Sequence, residues 1–144
     1  MKSRLGKPYQ SIWSSILFIF GLSLIGANST IDIQQHDTYF VIELIQLGIL
    51  FSLMLGVIGF LYWVVRHKKL VNWMTISHLI TTFLSFGLII TFGLINKRVV
   101  GSNVETIRVV NQILLLLILL GFLSQMIFLV NLTFSMIRNK SKNL

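Results

Sequence analysis

The side chains best suited to chemistry in this 144-residue chain lie close together in its first half. His36 and Asp37 are adjacent, and Glu43 and Gln46 follow shortly after them. An imidazole beside a carboxylate can ligate a hard cation or transfer a proton. The same stretch also suits a helix start, because the Asp37 side chain can accept hydrogen bonds from free backbone N–H groups. The metal, proton and capping interpretations all stay open on these residues alone.

Long apolar runs surround this group of residues and must position it. The chain is 55% hydrophobic and 11% charged, whereas soluble domains average about 25% charged residues. Apolar runs of about 18 residues or more indicate transmembrane helices. The sequence therefore predicts an all-α fold, an integral membrane four-helix bundle in a single transmembrane domain, with helices at about residues 12–27, 39–65, 73–95 and 109–137.

The first apolar run has a second interpretation. Basic residues precede it, and the small residues Gly26 and Ala27 end it, which is the order of parts in a secretory signal peptide. We expect a retained first helix, and cleavage of this segment is the alternative.

The basic residues predict how the chain crosses the membrane. The net charge is +8, and lysines and arginines concentrate before the first run, at residues 66–69 and in the C-terminal tail. The positive-inside rule places these segments, and so both termini, in the cytoplasm. His36 and Asp37 then lie on the outer side, together with the basic pair Lys97 and Arg98. Because basic residues flank the apolar runs, they fit lipid head groups, and we expect no nucleic-acid partner.

Composition also limits the chemistry and the compartment. The chain has no cysteine, which excludes disulfides and thiolate metal sites. The predicted orientation is met most simply in a bacterial cytoplasmic membrane, and the mitochondrial inner membrane is the alternative. From this composition we expect the lipid bilayer to be a partner of the protein.

Small and polar residues inside the runs predict how the helices pack. Lipid gives helices no hydrophobic reason to associate, so close approach at small residues and interhelical hydrogen bonds hold them together. We expect His78, Gln125 and Asn131 to make such bonds. The second run also carries a stripe of small residues that we expect to face another helix, in the same chain or in a second copy: Gly48, Ser52, Gly56 and Gly59.

Two further polar residues lie in the predicted second helix. Glu43 sits about one turn inside it, and an intramembrane acid is a functional candidate, although its shallow depth lets it reach water. Gln46 lies about one turn deeper, where an interhelical hydrogen bond is the expected role. Together with His36 and Asp37, Glu43 would suit a small ion- or proton-handling protein.

Residues 27–42 (ANSTIDIQQHDTYFVI) resemble a known family. A similar stretch, with His-Asp-Thr-Tyr as its hallmark, lies between the ninth and tenth helices of subunit I of the heme–copper oxidases, the catalytic subunit of cytochrome c oxidase. The resemblance extends to the last four of that subunit's twelve helices. Lys97 and Arg98 fall where the family has an Arg-Arg pair, and residues 123–131 resemble its twelfth helix.

The resemblance implies roles for these residues. In the family, the histidine and the aspartate of the motif belong to a magnesium site that another subunit completes. The basic pair of the family faces heme propionates. The resemblance therefore makes His36 and Asp37 metal candidates, and Lys97 and Arg98 cofactor-binding candidates.

The chain departs from the family where the heme ligands lie. The positions of the family's two ligand histidines in the tenth helix hold Leu44 and Gln46 here, and leucine cannot bind iron. We therefore predict no heme and no catalytic residue, while magnesium at His36 and Asp37 stays open. The expected function is a heme-free accessory, assembly or interaction partner of a respiratory complex. The alternatives are one chain of a split terminal oxidase and an ion- or proton-handling membrane protein.

Overall fold

Four helices and a two-stranded hairpin make up the described part of the chain. The structure, a computed structural model, describes residues 7–35, 38–68, 70–96 and 104–140. All four helices are long and apolar enough to cross a membrane, which indicates an integral membrane protein. In chain order the elements are α1 (Pro8–Ile25), β1 (Thr30–Gln35), β2 (Thr38–Glu43), α2 (Leu44–Val64), α3 (Asn72–Asn96) and α4 (Val104–Lys140).

The hairpin corrects the predicted start of the second helix. The sequence predicts a helix over 39–65, but residues 39–43 belong to β2, and α2 begins at Leu44. β1 and β2 pair antiparallel, with Thr30 opposite Glu43 and Gln35 opposite Thr38. Residues 38–42 are all β-branched or aromatic, which favours a strand. The remaining 21 residues of α2 still extend about 32 Å, enough to cross a hydrocarbon core of about 30 Å.

The other helices differ from the prediction only at their ends. α1 begins at Pro8, where the missing N–H of proline costs nothing because it would have no partner inside the helix. α3 begins and ends within one residue of the predicted 73–95. α4 begins at Val104 and has 37 residues, so at about 56 Å it is longer than the hydrocarbon core is thick.

The helices pack as two antiparallel pairs, α1 against α2 and α3 against α4, with α3 also contacting α1 and α2. The hairpin covers the end of the bundle where α1 ends and α2 begins. Its Ile31 is buried in the core, and the N–H of Leu44 donates to the carbonyl of Ser29 at 2.9 Å. The opposite end carries the α2–α3 connection. The hairpin is thus an integral part of the bundle, and its strands contact α2, α3 and α4.

Candidate functional site

Four of the predicted site residues lie outside the described residues. His36 and Asp37 fall between β1 and β2, and Lys97 and Arg98 fall between α3 and α4. The magnesium and propionate roles of these residues stay predictions. Within the described ranges, no three histidine, cysteine or carboxylate side chains come together as a metal site.

Glu43 directly precedes α2, and Gln46 lies at the start of its candidate membrane span, Leu44–Val64. Glu43 is the last residue of β2 and the N-cap of α2, with extended backbone at φ −69° and ψ 138°. Its side chain is exposed, and a carboxylate at a helix N-terminus is stabilised by the helix dipole. Gln46 lies in the first turn of α2 and is also exposed, not held between helices. Because the strand displaces the helix start from residue 39 to Leu44, Glu43 lies before the span and Gln46 lies in its first turn, each closer to the helix end than the sequence predicts.

Two members of the predicted small-residue stripe on α2 face α1. A Cβ on Gly48 would meet the side chain of Ser23, which is itself fully buried. A Cβ on Gly59 would come within 2.6 Å of Nε1 of Trp13. These two contacts lie about three helical turns apart on each helix. Glycine at both positions therefore lets α1 and α2 approach closely over most of their length.

The other two members of the stripe are placed differently. A Cβ on Gly56 would find open space, with nothing within 4 Å. The hydroxyl of Ser52 is buried and has no hydrogen-bond partner in the described part of the chain. The α1–α2 contact therefore uses glycine at two positions and not along one continuous stripe.

Leu44 is a packing residue at the position where the resembled family has a heme ligand. Its side chain is fully buried. A Cβ on Gly26 would lie 2.7 Å from Cδ1 of Leu44, and a Cβ on Gly93 would lie 2.5 Å from Cδ2. The leucine thus fills the space between the end of α1 and the last turns of α3, and two glycines leave room for it.

A buried group of polar side chains links α2, α3 and α4 between the middle of the bundle and the end away from the hairpin. The hydroxyl of Tyr62 lies 3.2 Å from Nδ1 of His78, and Nε2 of His78 lies 3.4 Å from Oε1 of Gln125. Because a carbonyl oxygen only accepts, Nε2 of the neutral ring donates to Gln125 and Nδ1 accepts from Tyr62. Tyr62 and His78 are 0% and 1% exposed. Both ring nitrogens are therefore bonded and shielded.

The bonds continue from Gln125 to two hydroxyl groups. Nε2 of Gln125 donates to Thr82 at 3.4 Å and to Ser124 at 3.2 Å. The two hydroxyls lie 2.8 Å apart, and that of Ser124 donates to the carbonyl of Gly121 at 2.7 Å. We call these five side chains the polar cluster: Tyr62, His78, Thr82, Ser124 and Gln125.

Asn131 makes a second bridge between α3 and α4. Its Oδ1 accepts from the backbone N–H of Val71 at 3.0 Å, and its Nδ2 donates to the hydroxyl of Thr75 at 2.9 Å. Val71 immediately precedes α3, where backbone N–H groups have no partner inside the helix. The interhelical roles predicted for His78, Gln125 and Asn131 are thus confirmed.

The hydroxyl residues that complete these bridges are not among those predicted from the sequence. A signal was present, because Thr75, His78 and Thr82 recur at three- and four-residue intervals and so share one face of α3. Phe128 covers the cluster, with its ring centroid 4.8 Å from that of Tyr62 and 5.1 Å from that of His78.

The chemistry of the polar cluster follows from this arrangement. His78 is the one member with imidazole nitrogens, which are common metal ligands, and both of its nitrogens are already bonded. Hydrogen bonds between buried polar side chains hold transmembrane helices in a fixed register. The cluster therefore locks three helices together and presents no free ligand atom of the histidine.

No family model, curated protein or solved structure matches the chain. The fold defines a class, an integral membrane protein with four apolar helices in the part of the chain that the structure describes.

Proposed function

We propose that the protein is a heme-free, non-catalytic membrane subunit related to the last four helices of oxidase subunit I. It acts as an accessory, assembly or interaction partner of a respiratory complex. The observation that carries the proposal is the burial of Leu44, whose side chain packs between Gly26 and Gly93. The position that binds iron in the resembled family serves helix packing here. The His-Asp-Thr-Tyr motif is still present, which supports a binding role on the outer side of the membrane.

The polar cluster supports a structural role over a catalytic one. An imidazole that ligates a metal needs one nitrogen free and the other held by a hydrogen-bond acceptor. In His78 one nitrogen faces the hydroxyl of Tyr62 and the other faces the amide oxygen of Gln125. A bundle locked in this way is a rigid surface on which a partner can dock.

The proposal includes an orientation in the bacterial cytoplasmic membrane. The hairpin lies at one end of the bundle, and the strongly basic residues 66–69 lie beyond α2 at the other. The positive-inside rule puts the basic end in the cytoplasm together with both termini. His36 and Asp37 then face outward, and a magnesium ion bound there would take its remaining oxygen ligands from the partner and from water.

Affinity purification of the tagged full-length chain from crosslinked native membranes tests this function. Respiratory subunits should be enriched several-fold over an unrelated membrane protein expressed at the same level. His36→Ala should lower that enrichment, because it removes the outer motif. His67→Ala is the matched control, since His67 is an exposed histidine beyond the opposite end of α2, and it should leave the enrichment unchanged.

Two outcomes would overturn the proposal. The first is a crosslinked preparation without any respiratory subunit. The second is a heme band, in the reduced-minus-oxidised spectrum, that stays in a fixed ratio to this chain and to a defined set of co-purified chains. That second result would favour the split oxidase.

A further inference from the structure

An apolar cleft lies between α2 and α4 in the half of the bundle next to the hairpin. Both helices pack against α3, and a cavity of about 200 Å³ remains between them. Its walls come from the hairpin and from all three of these helices, and include Ile33, Leu50, Met54, Phe86, Leu114 and Ile118. Leu50 and Phe122 mark the open side, since they line the cleft and are 52% and 68% exposed.

The cleft is closed at both of its ends. The hairpin residues Ile31 and Ile33 cover the end near the membrane surface. At the deep end, Gln125 lines the cleft, and beyond it the rings of Tyr62 and Phe128 close the gap between α2 and α4 at 4.8 Å. The cleft is therefore a slot of limited length that opens sideways, toward the surroundings of the bundle.

We propose that this cleft binds one acyl chain of a phospholipid from the leaflet on the hairpin side. The length agrees, because Leu114 and Gln125, which bound the cleft along α4, are separated by about 16 Å of helix. The hydrocarbon depth of one leaflet is about 15 Å, half of the core. A chain that enters beside the hairpin thus ends near the bilayer midplane, where the cleft ends.

The lining selects hydrocarbon over a polar ligand. An apolar cavity of about 150 Å³ stays dry and accepts hydrocarbon, and this cleft is larger. Its one polar lining residue is Gln125, whose amide already bonds His78, Thr82 and Ser124. The deep end therefore suits the terminal methyl group of an acyl chain and offers nothing to a polar ring.

The size of the cleft favours one acyl chain over a helix as its occupant. A helix segment of the same length, about 10 Å in diameter, would occupy on the order of 1000 Å³, more than the 740 Å³ of empty space in the cleft with its open side included. Arg108 adds a cation for the head group. It is exposed on α4, about 9 Å beyond Leu114 toward the membrane surface, at the level where an arginine meets lipid phosphate.

A photoactivatable phosphatidylcholine with a diazirine in the middle of one acyl chain tests the site. The full-length protein is reconstituted in vesicles of this lipid, exchanged into detergent to remove bulk lipid, and then irradiated. Mass spectrometry of peptides should find no more than one adduct per chain, as expected for one site, at cleft residues such as Met54. The neighbouring Leu53, which is 65% exposed, should carry adducts only when irradiation precedes the exchange.

Two matched variants locate the retained lipid. Ile118→Trp fills the cleft and should lower retained labelling several-fold. Leu119→Trp places the same ring at a residue that is 55% exposed, and it should leave labelling unchanged. If Ile118→Trp does not fold, unlabelled phosphatidylcholine added to the wild-type protein should compete for the same adducts.

Three results would overturn the proposal. These are retained labelling that neither variant nor competitor changes, absence of labelling after detergent exchange, and adducts that require a crosslinked dimer. The last would show a second copy of the chain at the cleft. None of the three bears on the respiratory partner, so this test and that of the proposed function fail independently.

Discussion

The hydroxyl of Tyr62 on α2 meets Nδ1 of His78 on α3 at 3.2 Å, and both side chains are shielded from the surroundings of the bundle. This contact joins α2 to the α3–α4 pair by a side-chain hydrogen bond. Because water does not reach the site, a lost partner there is not replaced.

Removal of that hydroxyl should weaken the bundle without changing its packing. Tyr62→Phe keeps the ring against Phe128 and leaves Nδ1 of His78 without its donor. We expect a loss of about 0.6–1.7 kcal/mol in the free energy of unfolding, the range measured for interhelical hydrogen bonds in membranes. Titration with a denaturing detergent in mixed micelles measures it. In a double-mutant cycle with His78→Leu the two losses should not add, whereas with Thr133→Ala they should.

The hydrogen bonds of Asn131 should contribute a similar amount to the free energy of unfolding. Asn131→Leu removes its side-chain bonds to Val71 and Thr75 and leaves the N–H of Val71 without this acceptor, so we expect a loss of about 1–2 kcal/mol. Thr133→Ala is the control two residues away, because its exposed hydroxyl bonds only the carbonyl of Leu129 in its own helix. Equal effects of the two changes on the same detergent titration would contradict the bridge.

Gly48 and Gly56 should respond to the same substitution with opposite signs. Gly48→Ala drives a methyl group into Ser23, and such overpacking costs about 1–3 kcal/mol. Gly56→Ala adds its methyl in open space, so the better helix propensity of alanine, about 1 kcal/mol, should dominate and stabilise the protein. Thermal unfolding in detergent distinguishes the two. A stabilised Gly48→Ala protein would refute the close contact between α1 and α2.

Leu44 and Gln46 should differ sharply in their tolerance of substitution by alanine. Leu44→Ala opens a cavity between Gly26 and Gly93, and we expect a loss of about 2–5 kcal/mol. Gln46→Ala changes an exposed side chain and should alter stability by no more than about 0.5 kcal/mol. Similar losses at both positions would mean that Gln46 is held by contacts after all.

The orientation can be read by labelling, because the chain has no cysteine of its own. Asp32→Cys places a thiol on the exposed side of β1, and His67→Cys places one in the exposed segment after α2. In intact cells a membrane-impermeant maleimide should label the first protein and not the second. After the cells are opened, both should react. The reverse pattern in intact cells would invert the proposed topology.

Much of the fold follows from the sequence, because length and apolarity alone define the four spans. The hairpin does not follow as easily. Residues 39–42 are continuous with the apolar run of α2, so the sequence predicts helix there. The partner strand carries the clearer signal, because Ile31 and Ile33 alternate with polar residues at the two-residue period of a strand.

For the polar cluster, the sequence predicts which residues make interhelical hydrogen bonds but not which partners they bond. Polar groups such as His78 and Gln125 are costly in lipid, and so they must find partners on other helices. Which partners they find depends on how each helix is rotated about its own axis. Tyr62 and Gly56 on α2 are two examples. The first points into the bundle and completes the cluster, while the second faces open space although its spacing predicts a contact.

The hairpin also decides how deep the molecule sits in its bilayer. The outer edges of a two-stranded ribbon carry backbone N–H and C=O groups that hydrocarbon cannot solvate. The ribbon must therefore stay among the head groups, and Leu44, directly behind it, enters the apolar layer. The protein cannot slide inward on that side, so every residue on α2 has a fixed height relative to any neighbour in the same membrane.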